Sequence, residues 1–173
     1  ARKASRVGAG ERGGGMLLSN FEEFGSAAIL LLAALLLERI LTPGLMSRAV
    51  YWSNGLALAA LIHVGYAAIE EEKAKGWLPI EMVGMMIYSS IALAARARNS
   101  LTLAALGWFL HPLWGILFHG SAVSEDMKRF QIVTRHAHHV PWWYPGASLL
   151  FEWAAALWII FGEDMPEPRR RRM

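Results

Sequence analysis

Three histidines and three glutamates stand inside, or at the ends of, otherwise apolar stretches of this chain: His63, Glu70, Glu81, His111, His119 and Glu152. Neutral imidazole and ionised carboxylate suit Zn, Fe or Mn, as a three-His or a two-His-one-carboxylate set. Without metal, a buried Glu beside a His makes an acid/base pair that can exchange a proton with a lipid-soluble substrate. The candidate catalytic residues are His111, Glu152 and His63. The candidate ligands for a divalent metal ion are His63, His111, His119, Glu81 and Glu152. The chain has no His-Glu-x-x-His, no Gly-rich phosphate loop and no Gly-x-Ser-x-Gly elbow, so motif alone does not decide whether it is an enzyme. It has no cysteine, which excludes disulfides, thiolate ligands and cysteine nucleophiles.

The elements that must position these residues follow from the apolar blocks. Of 173 residues, 55% are hydrophobic and only 18% charged, a balance that a soluble domain rarely shows. The blocks predict membrane spans at about 24–41, 48–69, 77–95, 101–120 and 145–162. The expected fold is an all-α integral membrane bundle of about five transmembrane helices. It forms one domain over 21–163, between a Gly-rich basic tail at 1–20, expected to be disordered, and a basic tail at 164–173. Met16 is a candidate start. A signal peptide over 16–42 is disfavoured, because Glu38-Arg39 stands where small residues would mark cleavage. Thr42-Pro43-Gly44 breaks the first helix, and Trp142-Trp143-Tyr144 reads as an interfacial aromatic belt. Met82, Met85 and Met86 read as packing residues. The basic tails point to anionic lipid rather than nucleic acid. The expected partners are the bilayer itself and a homo-oligomer or a larger membrane complex.

Alternating helices put the six acids and histidines in one half of the membrane. At ~1.5 Å per residue, His63 lies ~9 Å deep, Glu81 ~6 Å, Glu152 ~10 Å and His111 ~13 Å, with Glu70 and His119 near the surface. Glu70 closes the second span in an acidic run and reads as solvated, while Glu81 and His119 divide evenly between site and interface. Helical phase sets Tyr66 on the face of His63 and Glu70, and Glu81, Met85 and Tyr88 on one stripe. It sets Trp108, His111, Gly115 and His119 within about a quarter turn, with Gly115 opening room between two imidazoles. Ser148 and Ala156 share the face of Glu152 and allow close helix approach. The bland alternative for each deep residue is an interhelical hydrogen bond. His136, His138 and His139 belong to a loop expected to be solvated.

Orientation rests on Lys and Arg. The whole chain places 9 on the side of the N-terminus and 8 on the other, and without residues 1–15 the count is 5 against 8. The second count favours a cytoplasmic C-terminus.

Leu106-Gly107-Trp108-Phe109-Leu110-His111-Pro112-Leu113-Trp114, followed by His119, Pro141-Trp142 and Trp143-Tyr144-Pro145, resembles an uncharacterised family of small bacterial multipass membrane proteins with a Gly-Trp-x-x-His-Pro-x-Trp motif. In that family an acid follows the second Trp and a His pair comes after it; here those places hold Gly115 and Phe118-His119. The resemblance covers about residues 55–160 and implies a helical bundle, residence in a bacterial inner membrane and no particular activity. Three functional readings remain. The leading one is a His/Glu site open to one leaflet, in an enzyme or ligand-binding protein for a lipophilic or small substrate. The second is a proton or metal-ion transporter using the same residues. The third is a non-catalytic subunit of a larger membrane complex, in which those residues act as helix glue.

Overall fold

The computed structural model describes residues 12–69, 76–123, 140–141 and 144–162, and side chains from Phe24 onward except 120–123. They form five α-helices: α1 (Arg12–Leu41), α2 (Arg48–Ile69), α3 (Leu78–Ala97), α4 (Leu101–Val123) and α5 (Tyr144–Phe161). Each contains a stretch long and apolar enough to cross a membrane: Phe24–Leu41, Arg48–Ile69, Leu78–Ala97, Leu101–His119 and Tyr144–Phe161. These match the expected spans to within two residues at each end. One boundary differs. Helix α1 begins at Arg12 and takes in residues 12–20, which the sequence assigns to a disordered tail. Once the apolar span supplies the helix nucleus, each further residue adds a hydrogen bond without a new nucleation cost.

Local chemistry sets the turns. Thr42 donates its hydroxyl to Glu38 O at 2.8 Å, and Pro43-Gly44 follows, so α1 stops there. Ser47 accepts the Val50 N–H at 3.3 Å and so caps the start of α2. Between α3 and α4 the chain reverses in three residues. Asn99 adopts φ 47°, a left-handed conformation that Asn tolerates, and Ser100 N–H reaches back to Ala95 O at 2.8 Å. Ser100 then caps α4 through Leu103 N–H at 3.2 Å. Pro79 in the first turn of α3 costs nothing, since its missing N–H would have no helical partner.

Helices α2 to α5 form the bundle, and α1 lies outside it, packed mainly against α5 with a narrow contact to α2. Small residues allow close approach. A Cβ at Gly107 would fall 2.3 Å from Leu56 Cδ2, and one at Gly84 would fall 2.6 Å from the Trp114 ring. The central layer is apolar and dense, with Trp52, Leu56, Ala104, Ala105, Trp108 and Ala156 at most 2% exposed. Trp108 crosses this layer edge-on to Trp52 and donates its indole N–H to Trp52 O at 2.9 Å. Large apolar side chains cover the outside of every helix, Ile29, Leu61, Met86, Phe109 and Leu157 among them. Met82 and Met86 therefore line the outer surface, and only Met85 packs against the core as the sequence suggests for all three. Helix α3 turns its buried stripe of Glu81, Gly84 and Tyr88 inward, which leaves the other two methionines outside.

Pro112 lies inside α4, where its missing N–H leaves the Trp108 carbonyl without its usual helical donor. Beside it, two α4 carbonyls receive side-chain donors from neighbouring helices: Tyr88 Oη–H to Leu110 O at 3.0 Å and Trp153 Nε1–H to Phe109 O at 3.2 Å. The helical path breaks at His119, whose φ of −121° and ψ of 20° turn the chain as it leaves the span.

Candidate functional site

Above the Trp52–Trp108 layer, helices α2 to α5 each deliver a polar side chain to one buried cluster. Helix α2 gives His63, α3 gives Glu81, α4 gives His111 and His119, and α5 gives Ser148 and Glu152. His63, Glu81, His111, His119 and Glu152 are all at most 6% exposed. The shared depth expected from helix alternation is thus met by shared direction. Glu81 does not reach for the surface. It is 1% exposed and turned toward two imidazoles. Glu70, His136, His138 and His139 lie outside the described residues.

The cluster has two halves. In the first, the Glu81 carboxylate sits between histidines: Oε1 lies 2.7 Å from His119 Nε2, and Oε2 lies 3.8 Å from His63 Nδ1. One ligand atom from each of the three can be chosen so that all lie within 4.8 Å of one another. Trp114 donates its indole N–H to Glu81 Oε2 at 3.3 Å and so orients the carboxylate from outside. In the second half, His111 Nδ1 lies 2.6 Å from Glu152 Oε2, and Ser148 donates its hydroxyl to Glu152 Oε1. The five expected metal ligands therefore do not make one coordination shell. His111 and Glu152 bond to each other, because α4 and α5 are immediate neighbours, while α3 brings Glu81 only as far as His63 and His119.

Aromatic rings join the halves and roof them. The His63 ring stands 5.5 Å from that of His111 and 5.6 Å from that of His119. Trp77 covers His119 at 4.8 Å and is 1% exposed. Tyr144 covers His63 at 5.4 Å, and Tyr66 packs against Tyr144 in turn. Tyr144 is thus a buried wall of the site rather than part of an interfacial belt, because Pro145 starts α5 at that residue and the first turn faces inward. Trp142 and Trp143 lie outside the described residues. Tyr88 meets His111 edge-on at 4.6 Å, as the Glu81–Tyr88 stripe implies.

A small cavity opens against the cluster, bordered by His63, His111 and His119 on the polar side and by Pro112, Ile116 and Leu149 on the apolar side. Its volume of about 10 Å³ is close to what one water needs. Gly115 lines it, and a Cβ added there would meet nothing within 4 Å, so this glycine leaves the space that its spacing suggests.

Comparison of the chain with protein-family models, with curated proteins and with solved structures found no match. The site is therefore argued from its own residues. Every named residue of the Gly-Trp-x-x-His-Pro-x-Trp stretch has a place in it. Gly107 admits Leu56, Trp108 binds α2, His111 enters the cluster, Pro112 lines the cavity, and Trp114 holds Glu81.

A second polar cluster, at the opposite end of the bundle, is not evident in the sequence. Glu38 of α1 is 5% exposed and takes three donors: Arg48 Nε–H at 2.5 Å, Trp52 Nε1–H at 3.0 Å and Trp158 Nε1–H at 2.9 Å. Arg48 also donates to Gly162 O at 3.2 Å. One carboxylate thereby ties α1 to α2 and α5. The sequence signal was an acid inside an apolar block, which argued against a signal peptide but did not mark a buried partner for Arg48.

Proposed function

We propose that this chain is a multipass membrane protein whose buried cluster is a divalent-metal centre, used for acid/base chemistry on a small lipid-soluble substrate. The observation that carries the reading is the convergence of His63, Glu81 and His119 from three helices, in a region with no Lys or Arg among the described residues nearby. Two carboxylates at such depth require compensating positive charge, and a metal ion or protonated imidazole supplies it. The donor set fits a metal such as Zn, Fe or Mn. Ligand atoms held at ~2.0–2.1 Å in a tetrahedral set stand ~3.3–3.4 Å apart, so closing a gap of up to 4.8 Å would take about 1.4 Å of side-chain movement. A bound ion of this kind acts as a Lewis acid and makes water a stronger acid at neutral pH.

The chain's own residues supply the rest. His63, Glu81 and His119 hold the ion, and Trp114 keeps the Glu81 carboxylate aimed. His111, which lines the cavity, donates Nδ1–H to Glu152, and that leaves Nε2 as its basic nitrogen. Glu152 fixes that tautomer and stabilises the imidazolium when His111 holds a proton. Ser148 donates to Glu152 and not to His111, so it orients the carboxylate and is not set up as a nucleophile.

The Trp52–Trp108 layer favours this reading over transport. Between the cluster and the Glu38–Arg48 pair, Leu56, Ala104, Ala105 and Ala156 leave no polar chain among the described residues for a proton or ion to follow. The site opens to one half of the membrane only. The family resemblance supports residence in a bacterial inner membrane, and the Lys and Arg bias supports a cytoplasmic C-terminus.

Elemental analysis of protein purified without a polyhistidine tag tests the metal. The expected result is close to one equivalent of a first-row divalent metal per chain, lost in His119→Ala and retained in His111→Gln. Substoichiometric metal after loading with Zn, Mn and Fe in turn would remove the reading.

A further inference from the structure

The cavity beside the cluster has an orientation that the metal reading does not use. Two of its sides are closed by buried rings. Trp77 lies against His119 and Tyr144 against His63, so both imidazoles are covered at the end of the bundle where α2 finishes and α3 begins. The apolar core layer closes the opposite end. Apart from His63, every residue lining the cavity belongs to α4 or α5. Between those helices Gly115, Ile116, Ser148 and Leu149 are partly exposed, and the space over Gly115 is open. The α4 wall also contains Pro112, where the helix lacks one hydrogen bond.

We infer that the site is entered sideways from the bilayer, between α4 and α5 past Gly115, by a small neutral molecule that presents a single oxygen or nitrogen donor. The inference rests on the metal-centre reading for the donor and on the cavity walls for the route. The partly exposed wall is Gly115, Ile116, Leu149 and Ser148, whose hydroxyl is turned to Glu152, and the three histidines are buried behind it. A charged head would have to leave its water in that gap. An anion is further disfavoured, because Glu81 and Glu152 stand directly behind the imidazoles and offset the charge of a bound divalent ion. The resting volume admits about one water, so the donor end of the ligand takes that place while its apolar remainder stays between the helices or in lipid.

The test uses the full chain, loaded with cobalt(II) and reconstituted in phosphatidylcholine vesicles. Two probes are titrated against the visible cobalt spectrum: 4-phenylpyridine, neutral, lipid-soluble and carrying one nitrogen donor, and azide, a small anion in the water. Entry from lipid predicts that the pyridine perturbs the spectrum at an aqueous concentration at least about tenfold below azide. Gly115→Trp fills the opening, so it should raise the pyridine requirement by about tenfold or more with cobalt stoichiometry unchanged. Azide acting as readily, or Gly115→Trp responding like wild type, would overturn the route. Failure to bind cobalt would overturn the metal reading alone. The route is then read from a nitroxide on Gly115→Cys, in a chain that has no other cysteine. Relaxation by oxygen well above relaxation by a water-soluble nickel chelate supports lateral entry, and the reverse order refutes it.

Discussion

Gly84→Ala places the smallest possible side chain where the structure has no room for it. The added Cβ would stand 2.6 Å from Trp114 Cε2, 2.8 Å from Cζ2 and 3.0 Å from Nε1. Ordinary carbon contacts begin near ~3.5 Å, so the indole has to retreat by about 1 Å, or α3 and α4 have to separate. Trp114 is already packed against Phe118, with ring centres 4.1 Å apart, and cannot retreat freely. Its N–H to Glu81 is 3.3 Å long and does not survive such a shift. Overpacking of this kind costs about 1–3 kcal/mol. The lost interhelical hydrogen bond adds ~0.6 kcal/mol. Ala gains up to ~1 kcal/mol over Gly as a helix former. The expected net destabilisation is about 1–2.5 kcal/mol. Glu81 also loses its orienting partner, so metal affinity should fall ~10–100-fold. The control is Gly115→Ala, a glycine of α4 with nothing within 4 Å of an added Cβ, which should be neutral or slightly stabilising. Equilibrium unfolding in mixed micelles measures stability, and competition with a chromogenic chelator measures metal. If Gly84→Ala matched Gly115→Ala in both, Trp114 would not be packed against α3 or holding the carboxylate as described.

Other perturbations read other parts of the structure. Glu38→Ala should cost about 2–4 kcal/mol, less than a fully buried pair because the Arg48 side chain is 27% exposed, with no change in metal content; a loss under about 0.5 kcal/mol would make the clamp energetically idle. Single cysteines at Leu45 and Asn99 should react with an impermeant thiol reagent from one side of the membrane and a cysteine at Ile69 from the other; Leu45 and Ile69 reacting from the same side would break the alternation on which the shared depth rests. Ser148→Ala should leave metal bound and weaken the His111–Glu152 pair, seen as a shift of the His111 ring-proton resonances, and an unchanged spectrum would mean that Ser148 does not orient Glu152. Glu81→Gln keeps size and one acceptor oxygen but removes charge, so it should fold and lose metal; full metal retention would take Glu81 out of the ligand set.

The sequence was most legible where a single physical constraint acted alone. A span must be about twenty apolar residues long, so the helix positions could be read from composition, with Thr42-Pro43-Gly44 as punctuation. Depth followed from helix rise, and the inward phase of His63, His111 and Glu152 followed from the cost of turning them to lipid. Pairing was not legible. Whether Glu81 meets His119 or Glu152 depends on which helices are neighbours, and nothing in the periodicity of one helix records its neighbour. Tyr144 was hidden by its company, since Trp142-Trp143-Tyr144 has the composition of a belt and only the start of α5 turns the third ring inward. Glu38 was hidden for the opposite reason. Its partners Arg48, Trp52 and Trp158 are 10, 14 and 120 residues away, so no local pattern marks it as satisfied.

The two polar clusters differ in a way that bears on what each is for. Around Glu38 the groups match: both carboxylate oxygens are engaged, every donor is a side-chain N–H, and Arg48 supplies the opposite charge. Such a cluster needs nothing further, and its effect is to fix where α1 docks. Around Glu81 and Glu152 the groups do not match in charge. Two carboxylates meet three imidazoles, with no Lys or Arg beside them among the described residues. A bundle that required only interhelical adhesion would be served by a second arrangement like that of Glu38, and Ser, Asn or Gln would provide it without two buried acids. Keeping the acids beside a cavity that His111 lines and Gly115 leaves open is what the proposed metal centre requires and interhelical adhesion alone does not.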